Sequence, residues 1–514
     1  MSTAAIIILL ASFPVLYLLK HLSLKAGRLP YPPGPKPWPI VGNYFQLSKT
    51  KPWLQYEQWG KQYGDLVYVH IFGEDVIIIN SERVATELLE KRNKIYSSRP
   101  PWRALHMSGM HFNFGFIEYG DRWRTERRMG QQVFRQENIK KYHPVTASEV
   151  RSFVKLLRER PEGFLSHVRH FSVANVLRIV SGYQLAEDSG HYVQIAGRAA
   201  HLTAKPPLPG MALVDYIPGM RYLPSWLPGM TFKSEAHECQ HLLREIQDFP
   251  FDFAKANFGA GTATASVVGE LLNRLLTIDG SDPQEATIRR LAGLGYFAGA
   301  ETTISALSTF FLAMVLHPGS QKAAQKEIDA VVGAGRFPQL QDRTSLPYVE
   351  ALFREVLRWR PVTPLGLSHA STEADEYKGY FIPKGATVVM NTWAIQMDSR
   401  VHSDPTSFNP GRYLTKDGSL NDDYPMTAFG MGRRICPGRH LADTALWLAI
   451  ASVLSAFNIA KAKDQNGNEI EVEDDYTTGL VSHPMPFKCD ITPRNPDVET
   501  LLMEVVTSDV EAVS

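Results

Sequence analysis

The stretch that most constrains this chain is FGMGRRICPG, residues 429–438. It sets one cysteine, Cys436, in a glycine-rich turn, and an apolar, helix-like run, RHLADTALWLAIASVLSAF, follows at once. A helix N-terminus carries partial positive charge and unpaired N–H groups, and both lower a nearby thiol's pKa. The sequence therefore predicts a thiolate at Cys436. Gly430, Gly432 and Gly438 allow close approach of the backbone to something flat, and Pro437 suits a first helical turn. Arg433 and Arg434 bring charges that pair with carboxylates. A buried structural cysteine is the competing reading for any free thiol. Three glycines and two flanking arginines are more than such a cysteine needs.

The other two cysteines, Cys239 and Cys489, lie far from Cys436, and no CxxC pair occurs. Neither a disulfide framework nor a zinc site fits that spacing. The net charge of +1 excludes the basic footprint of a nucleic-acid-binding protein. With 514 residues, 44% of them hydrophobic, the chain can bury a large core. No low-complexity linker or repeat divides it after residue 50. N-x-S/T sites are absent, which suits a chain whose bulk faces the cytosol.

Residues 3–19 are nearly all apolar and uncharged. At ~1.5 Å per residue they span roughly 26 Å, enough for a thin endoplasmic-reticulum bilayer. Lys20, Lys25 and Arg28 follow, and no basic residue precedes, so the positive-inside rule puts the C-terminal side in the cytosol. A cleaved signal peptide would want a basic start, which is missing. The organisation read from this is a transmembrane anchor at 1–20, a basic and proline-rich hinge at 21–40, a catalytic domain at 41–494 and a disordered acidic tail at 495–514. Residues 66–72 and 76–80 alternate and form a β-hairpin around Gly-Glu-Asp, and Ser81 caps a short helix. Residues 95–118 read as a long loop rich in aromatic and Met side chains. Residues 121–134 form a helix on which Trp123 and Arg127, four apart, share a face. The proline-rich stretch at 205–230, with Trp226 and Met230, reads as an interfacial contact or a packed surface loop. Residues 284–317 form a long helix. Gly293, Gly295 and Ala298 satisfy a dinucleotide fingerprint there, but inside a helix with no strand before it, so that reading is rejected.

The segment 429–438 also resembles the haem-binding signature of the cytochromes P-450, FxxGxRxCxG, in which Phe429, Gly432, Arg434, Cys436 and Gly438 fill every fixed position. The resemblance covers nearly the whole chain and is closest to fungal, basidiomycete microsomal monooxygenases of secondary metabolism. It implies a mainly α-helical fold with small β-sheets and haem b as cofactor, its iron held by Cys436, since thiolate ligation favours O–O cleavage. Trp123, Arg127 and His369 fall where the family contacts haem propionates. Residues 298–303, AGAETT, match the oxygen-activation motif. There Gly299 and a mid-helix Thr hydroxyl open a groove, Thr302 hydrogen-bonds dioxygen or its water, and Glu301 relays protons. Glu355 and Arg358 match E-x-x-R, with Arg412 as third member in PGRY, where the family usually has PERF. The segment at 95–118 roofs the pocket, and 477–481 forms a terminal hairpin touching substrate. The implied activity is insertion of one oxygen atom into a lipophilic small molecule (a terpenoid, sterol or aromatic natural product), with electrons from an NADPH–cytochrome P-450 reductase, cytochrome b5 as a second donor, and residence in the endoplasmic-reticulum membrane. The alternatives are a haem-thiolate isomerase or dehydratase, or a haem-based sensor.

Overall fold

The computed structural model describes residues 29–187, 190–276, 282–496, 498–501 and 503. The expected anchor at 1–20 and the basic start of the hinge lie outside them, as does residue 504 onward.

Pro52 opens the first helix, α1 (Pro52–Tyr63), which ends at Gly64 with φ of 106°. The predicted hairpin follows as β1 (Leu66–Ile71) and β2 (Glu74–Ile79), paired antiparallel. Its turn is Phe72–Gly73, with φ of 46° and 92°, where Gly-Glu-Asp was expected. A two-residue turn matched to strand twist needs positive φ at both positions, so Glu74 and Asp75 join the second strand. Ser81 caps the next helical turn by accepting from the Val84 N–H at 3.4 Å.

The body is helical: α2 (Asp121–Phe134), α3 (His143–Glu159), α4 (Phe164–Ser181), α5 (Gly190–Thr203), α6 (Phe232–Gly259), α7 (Val267–Leu276), α8 (Asp282–Leu316), α9 (Pro318–Val331), α10 (Pro347–Trp359) and α11 (Arg439–Ala456). β2 gains a parallel neighbour in β6 (Thr387–Met390), which pairs antiparallel with β3 (His369–Ala370). Two two-stranded sheets complete the fold, β4 (Asp375–Tyr377) with β5 (Tyr380–Ile382) and β7 (Phe457–Lys461) with β8 (Cys489–Pro493). The mainly helical architecture with small sheets is the one expected.

Helix α8 is largely apolar because most of it is packed inside the protein. It is long and apolar enough to cross a membrane, yet 83% of its most apolar window is buried in the protein. A core helix passes the same composition test as a membrane span. Its glycines are contact points. A Cβ at Gly293 would lie 2.6 Å from Gln247 Cγ, one at Gly295 2.9 Å from Val180 Cγ2, and one at Gly299 2.8 Å from Val176 Cγ2. These close approaches press α6 and α4 against α8. The helix continues through residues 298–303, and Gly299 makes room there for Val176.

The C-terminal half of α8 joins a core with Phe153, Phe171, Phe310, Phe311 and Trp447, and its N-terminal half joins one with Trp102, Phe112, Phe114, Ile179 and Tyr296. The segment at 95–118 belongs to the second core. It is less irregular than expected, folding into a helix at Arg103–Met107 and a 3-10 turn at Met110–Phe112. In the 205–230 stretch Tyr222 and Trp226 are exposed but Met230 is buried, so only part of it suits an interfacial contact. Beyond residue 494 the chain still packs: Val498 is buried and Glu499 accepts from Arg158.

Candidate active site

Between α2, α4, α5 and α8 and the segments around residues 362–369, 427–438 and 477–486 lies a cavity of about 1110 Å³. Its walls are mostly apolar. Cys436 lies on one side of it, and Thr302 and Glu301 on another.

The turn that carries Cys436 is held by its own backbone. The Cys436 N–H donates to the Phe429 carbonyl at 2.8 Å, and Gly430, at φ of 79°, makes the bend between them. Gly432 has φ of 62°, and a Cβ there would fall 2.1 Å from the Leu89 carbonyl oxygen. That glycine fits the turn against the segment after β2 and does not line the cavity, a different role from the cofactor contact expected of it. Gly438 does line it. A Cβ there would meet only the Cys436 sulfur, at 4.0 Å, and Gly438 is the residue before α11. Burial raises the Cys436 thiol's pKa, against the pull of the Gly438 N–H, Arg127 and Arg439. The helix N-terminus acts in the predicted direction, but in the protein alone desolvation outweighs it.

Four buried basic groups gather beside this turn. Arg127, aligned with Trp123 on α2 as predicted, has its Nε and Nη2 without partners among the described residues, as is Trp123 Nε1. Burial holds the Arg127 guanidinium down to about 10. Arg434 stacks on Trp123 at 4.4 Å and donates to the carbonyls of Ser97, Phe114 and Ile117. Burial, then Arg99 and Arg127, push it down to about 8. Arg99, also brought down to about 9 by burial, donates to the carbonyls of Gly115, Leu367 and Ser368. His369 is buried at the cavity wall; burial first, then Arg99, take its pKa well below the usual value. Its Nδ1 lies 2.7 Å from the Tyr96 carbonyl and must donate to it, so the neutral ring offers Nε2 only as an acceptor. To meet a carboxylate there His369 must take up a proton.

This cluster tests the cofactor. Three guanidiniums and an imidazole are buried together, and no carboxylate among the described residues pairs with Arg99, Arg127 or Arg434. Buried charge without a counter-ion is costly, and buried N–H groups are normally satisfied. Haem b brings a flat apolar macrocycle with two carboxylates. It fits a cavity with apolar walls, a cysteine sulfur and open N–H donors at its side. Arg99 was missed in the sequence. Nothing in the segment, which also carries Arg103, His106 and His111, set it apart.

Across the cavity, the Thr302 hydroxyl donates to the Ala298 carbonyl at 2.8 Å. Glu301 is 6% exposed; its Oε2 is 3.4 Å from His483 Nε2, and its Oε1 has no partner among the described residues. His483 was not anticipated. The expected substrate-contacting segment does reach the cavity, through Thr477, Thr478, Leu480 and Val481. Behind the Cys436 turn, the E-x-x-R pair closes with its third member. Arg358 donates twice to Glu355, at 2.7 and 2.8 Å, and Arg412 Nε reaches both Glu355 oxygens at 3.1 and 3.0 Å. The PGRY departure leaves that geometry intact, and Tyr413 is buried where the family usually has Phe.

Residues 32–491 match the family model for Cytochrome P450. Cytochrome P450 monooxygenase COX1 of Coprinopsis cinerea is 39% identical over 98% of this chain and 100% of its own length. Cytochrome P450 monooxygenase claR of Ampulloclitocybe clavipes is 40% identical over 95% and 90%, and Tryptamine 4-monooxygenase of Psilocybe cyanescens 36% identical over 94% and 96%. With the model and the relatives both spanning nearly its full length, the chain belongs to the cytochrome P450 family, whose members bind haem b through an axial cysteine thiolate.

Proposed function

We propose that this chain is a membrane-anchored haem-thiolate monooxygenase that hydroxylates or epoxidises a lipophilic small molecule in secondary metabolism, with Cys436 as the axial ligand. The observation that carries the reading is Cys436 in the wall of a cavity, with buried Arg127 and Trp123 donors beside it that have no partner among the described residues. Bound there, haem supplies the iron at which dioxygen is activated. The chain's own residues then do four things. Arg127 and Trp123 donate to a propionate, with Arg99, Arg434 and a protonated His369 adding positive charge around it. Phe429 and Gly438 shape the turn that presents the sulfur. The apolar walls, including Phe297, Ala298 and Leu367, exclude water and hold an apolar substrate. Thr302 holds a proton at Oγ1, and Glu301 resupplies it from the side facing His483.

Electrons come from NADPH through a cytochrome P-450 reductase, with cytochrome b5 as a second donor. The endoplasmic-reticulum membrane is the proposed location, through residues 1–20, with the exposed Tyr222 and Trp226 as a second contact. The intact Ala-Gly-x-Glu-Thr run favours oxygen insertion over isomerase or dehydratase chemistry, which needs no such proton donors.

The test is the carbon monoxide spectrum of the reduced protein. The wild type should show the red-shifted Soret band of a thiolate-bound haem, and Cys436→Ser should abolish it, while Cys239→Ser and Cys489→Ser keep it. A Cys436→Ser protein that retains the band overturns the assignment. For the proton donor, Thr302→Ala should keep haem content and NADPH consumption but divert reducing equivalents to hydrogen peroxide. A positioned proton donor is typically worth about 10²–10⁴ in rate. Unchanged coupling of product to NADPH would make Thr302 a packing residue.

A further inference from the structure

One corner of the cavity carries polar groups that the oxygen chemistry does not use. Helices α4 and α8 run antiparallel there, as their contact points show: Gly295 meets Val180, and Gly299, four residues on, meets Val176, four residues back. The same register puts Asn175 of α4 level with Ala300 of α8, the residue before Glu301. Both line the cavity and both are buried, 5% and 6% exposed. Asn175 Oδ1 and Glu301 Oε1 each lack a hydrogen-bond partner among the described residues. Helix α5 lies against Glu301 at Gly197: a Cβ there would sit 3.9 Å from Glu301 Oε1 and 3.9 Å from Arg169 Nη1, so a larger side chain would close over Oε1. His483 occupies the other side of the carboxylate, near Oε2.

Both orphaned atoms are acceptors. A buried acceptor left unmet is costly, so the corner calls for something that brings donors. An apolar group there would leave both oxygens bare, and a carboxylate would face Glu301 directly. We propose that this corner is a recognition site for a hydrogen-bond donor on the substrate, an alcohol O–H or an amine N–H at one end of an otherwise apolar skeleton. The donor end docks between Asn175 Oδ1 and Glu301 Oε1, beneath Gly197, and the apolar remainder extends along the walls toward Cys436. The proposal deepens the monooxygenase reading, because it takes the cavity as the substrate pocket. It leaves Glu301 Oε2, on the His483 side, for proton supply, so the two carboxylate oxygens serve different partners.

The experiment measures binding by titration calorimetry of the haem-loaded protein with four probes on one rigid apolar cage: adamantan-1-ol, 1-methoxyadamantane, adamantan-1-aminium and adamantane-1-carboxylate. The alcohol and the ammonium should bind about ten-fold more tightly than the methyl ether, the yield of one to two net hydrogen bonds, and the carboxylate should bind most weakly. Either donor leading supports the proposal: a leading ammonium assigns the main contact to Glu301, a leading alcohol to Asn175. Asn175→Leu should erase the alcohol's advantage, and Gly197→Leu, which fills the space over Oε1, the ammonium's. The ether's own affinity controls for general damage, and the carbon monoxide spectrum confirms that each variant folds and holds haem. Equal binding of ether and both donors to the wild type would show that water alone meets the two oxygens and overturns the proposal, as would donor advantages that survive both substitutions. Turnover is not measured, so failure here is distinct from failure of the haem assignment, which the Cys436→Ser spectrum reads.

Discussion

Two groups of buried arginines lie on either side of the Cys436 turn, and they are satisfied in opposite ways. Behind it, Arg358 and Arg412 share one carboxylate, Glu355, and spend further N–H groups on the carbonyls of Gln396, Pro405 and Ser407. The chain supplies the counter-ion and the acceptors together. In front, among the described residues, Arg99 and Arg434 have only carbonyls, and Arg127 leaves two of its nitrogens unmet. The first group is a finished piece of structure. The second is finished only by an anion from outside the chain. Buried charge therefore does not mark a functional site by itself; a missing counter-ion does.

The largest effect should come from breaking the finished group. Glu355→Gln strands two buried guanidiniums, and removing one member of a buried ion pair costs about 3–5 kcal/mol. The variant should accumulate as protein without the thiolate-haem spectrum, read as carbon monoxide-binding haem per mole of chain. Normal haem content would mean that the network is dispensable to the fold of the turn. In the unfinished group the sign should invert. Arg127→Leu removes a buried charge with no counter-ion, so the haem-free chain should gain about 1–3 kcal/mol against denaturant. The haem-loaded protein should meanwhile lose haem faster to an excess of apomyoglobin. A variant destabilised in both forms would show that Arg127 is satisfied by the chain after all.

A smaller effect sharpens the comparison from the acidic side. Asp215 is a half-buried carboxyl that accepts from the Ala104 N–H at 2.8 Å; desolvation is the chief cause of a pKa raised to about 6. A carboxyl raised in the folded state is protonated there before it is in the unfolded chain. Its contribution to stability is therefore greatest below the unfolded value of about 4 and is lost as pH rises through about 6. Asp215→Asn keeps an acceptor for Ala104 and removes the titration. Between pH 4.5 and 7 the wild type should lose about one to three degrees of melting midpoint relative to the variant. Parallel profiles would mean that the carboxyl is not desolvated in solution.

The contrast also explains what the sequence could tell. Helix bounds at residues 121–134 and the strands of the hairpin follow from local period and punctuation, which act over a few residues. The Trp123–Arg127 alignment and the third place of Arg412 rest on spacing within one element or one motif, and the structure keeps both. Roles set by a distant neighbour were not legible. Gly432 answers to the Leu89 carbonyl, Gly299 to Val176, and Glu301 to His483, each a segment far away in the chain. Arg99 looked like one polar residue in a loop because the carbonyls it meets at Leu367 and Ser368 lie nearly 270 residues later. The upward push on the Cys436 thiol escaped for the same reason: a helix N-terminus can be read from sequence, but the degree of burial cannot.

The pairing of β2 with β6 has a consequence for how the molecule is made. Val76 meets Thr387 about 310 residues later. At roughly 5–20 residues per second, a ribosome needs about 15–60 s to produce the second strand after the first. Throughout that interval the β2 edge, with Val76, Ile77, Ile78 and Ile79 all destined for burial, has only the hairpin partner and an open row of N–H and C=O groups. Such an edge is a template for pairing with another chain. Helices of the body can form from local contacts while the sheet waits, so the sheet edge should be the segment that chaperones guard in a nascent chain. Crowded expression should misassemble there first.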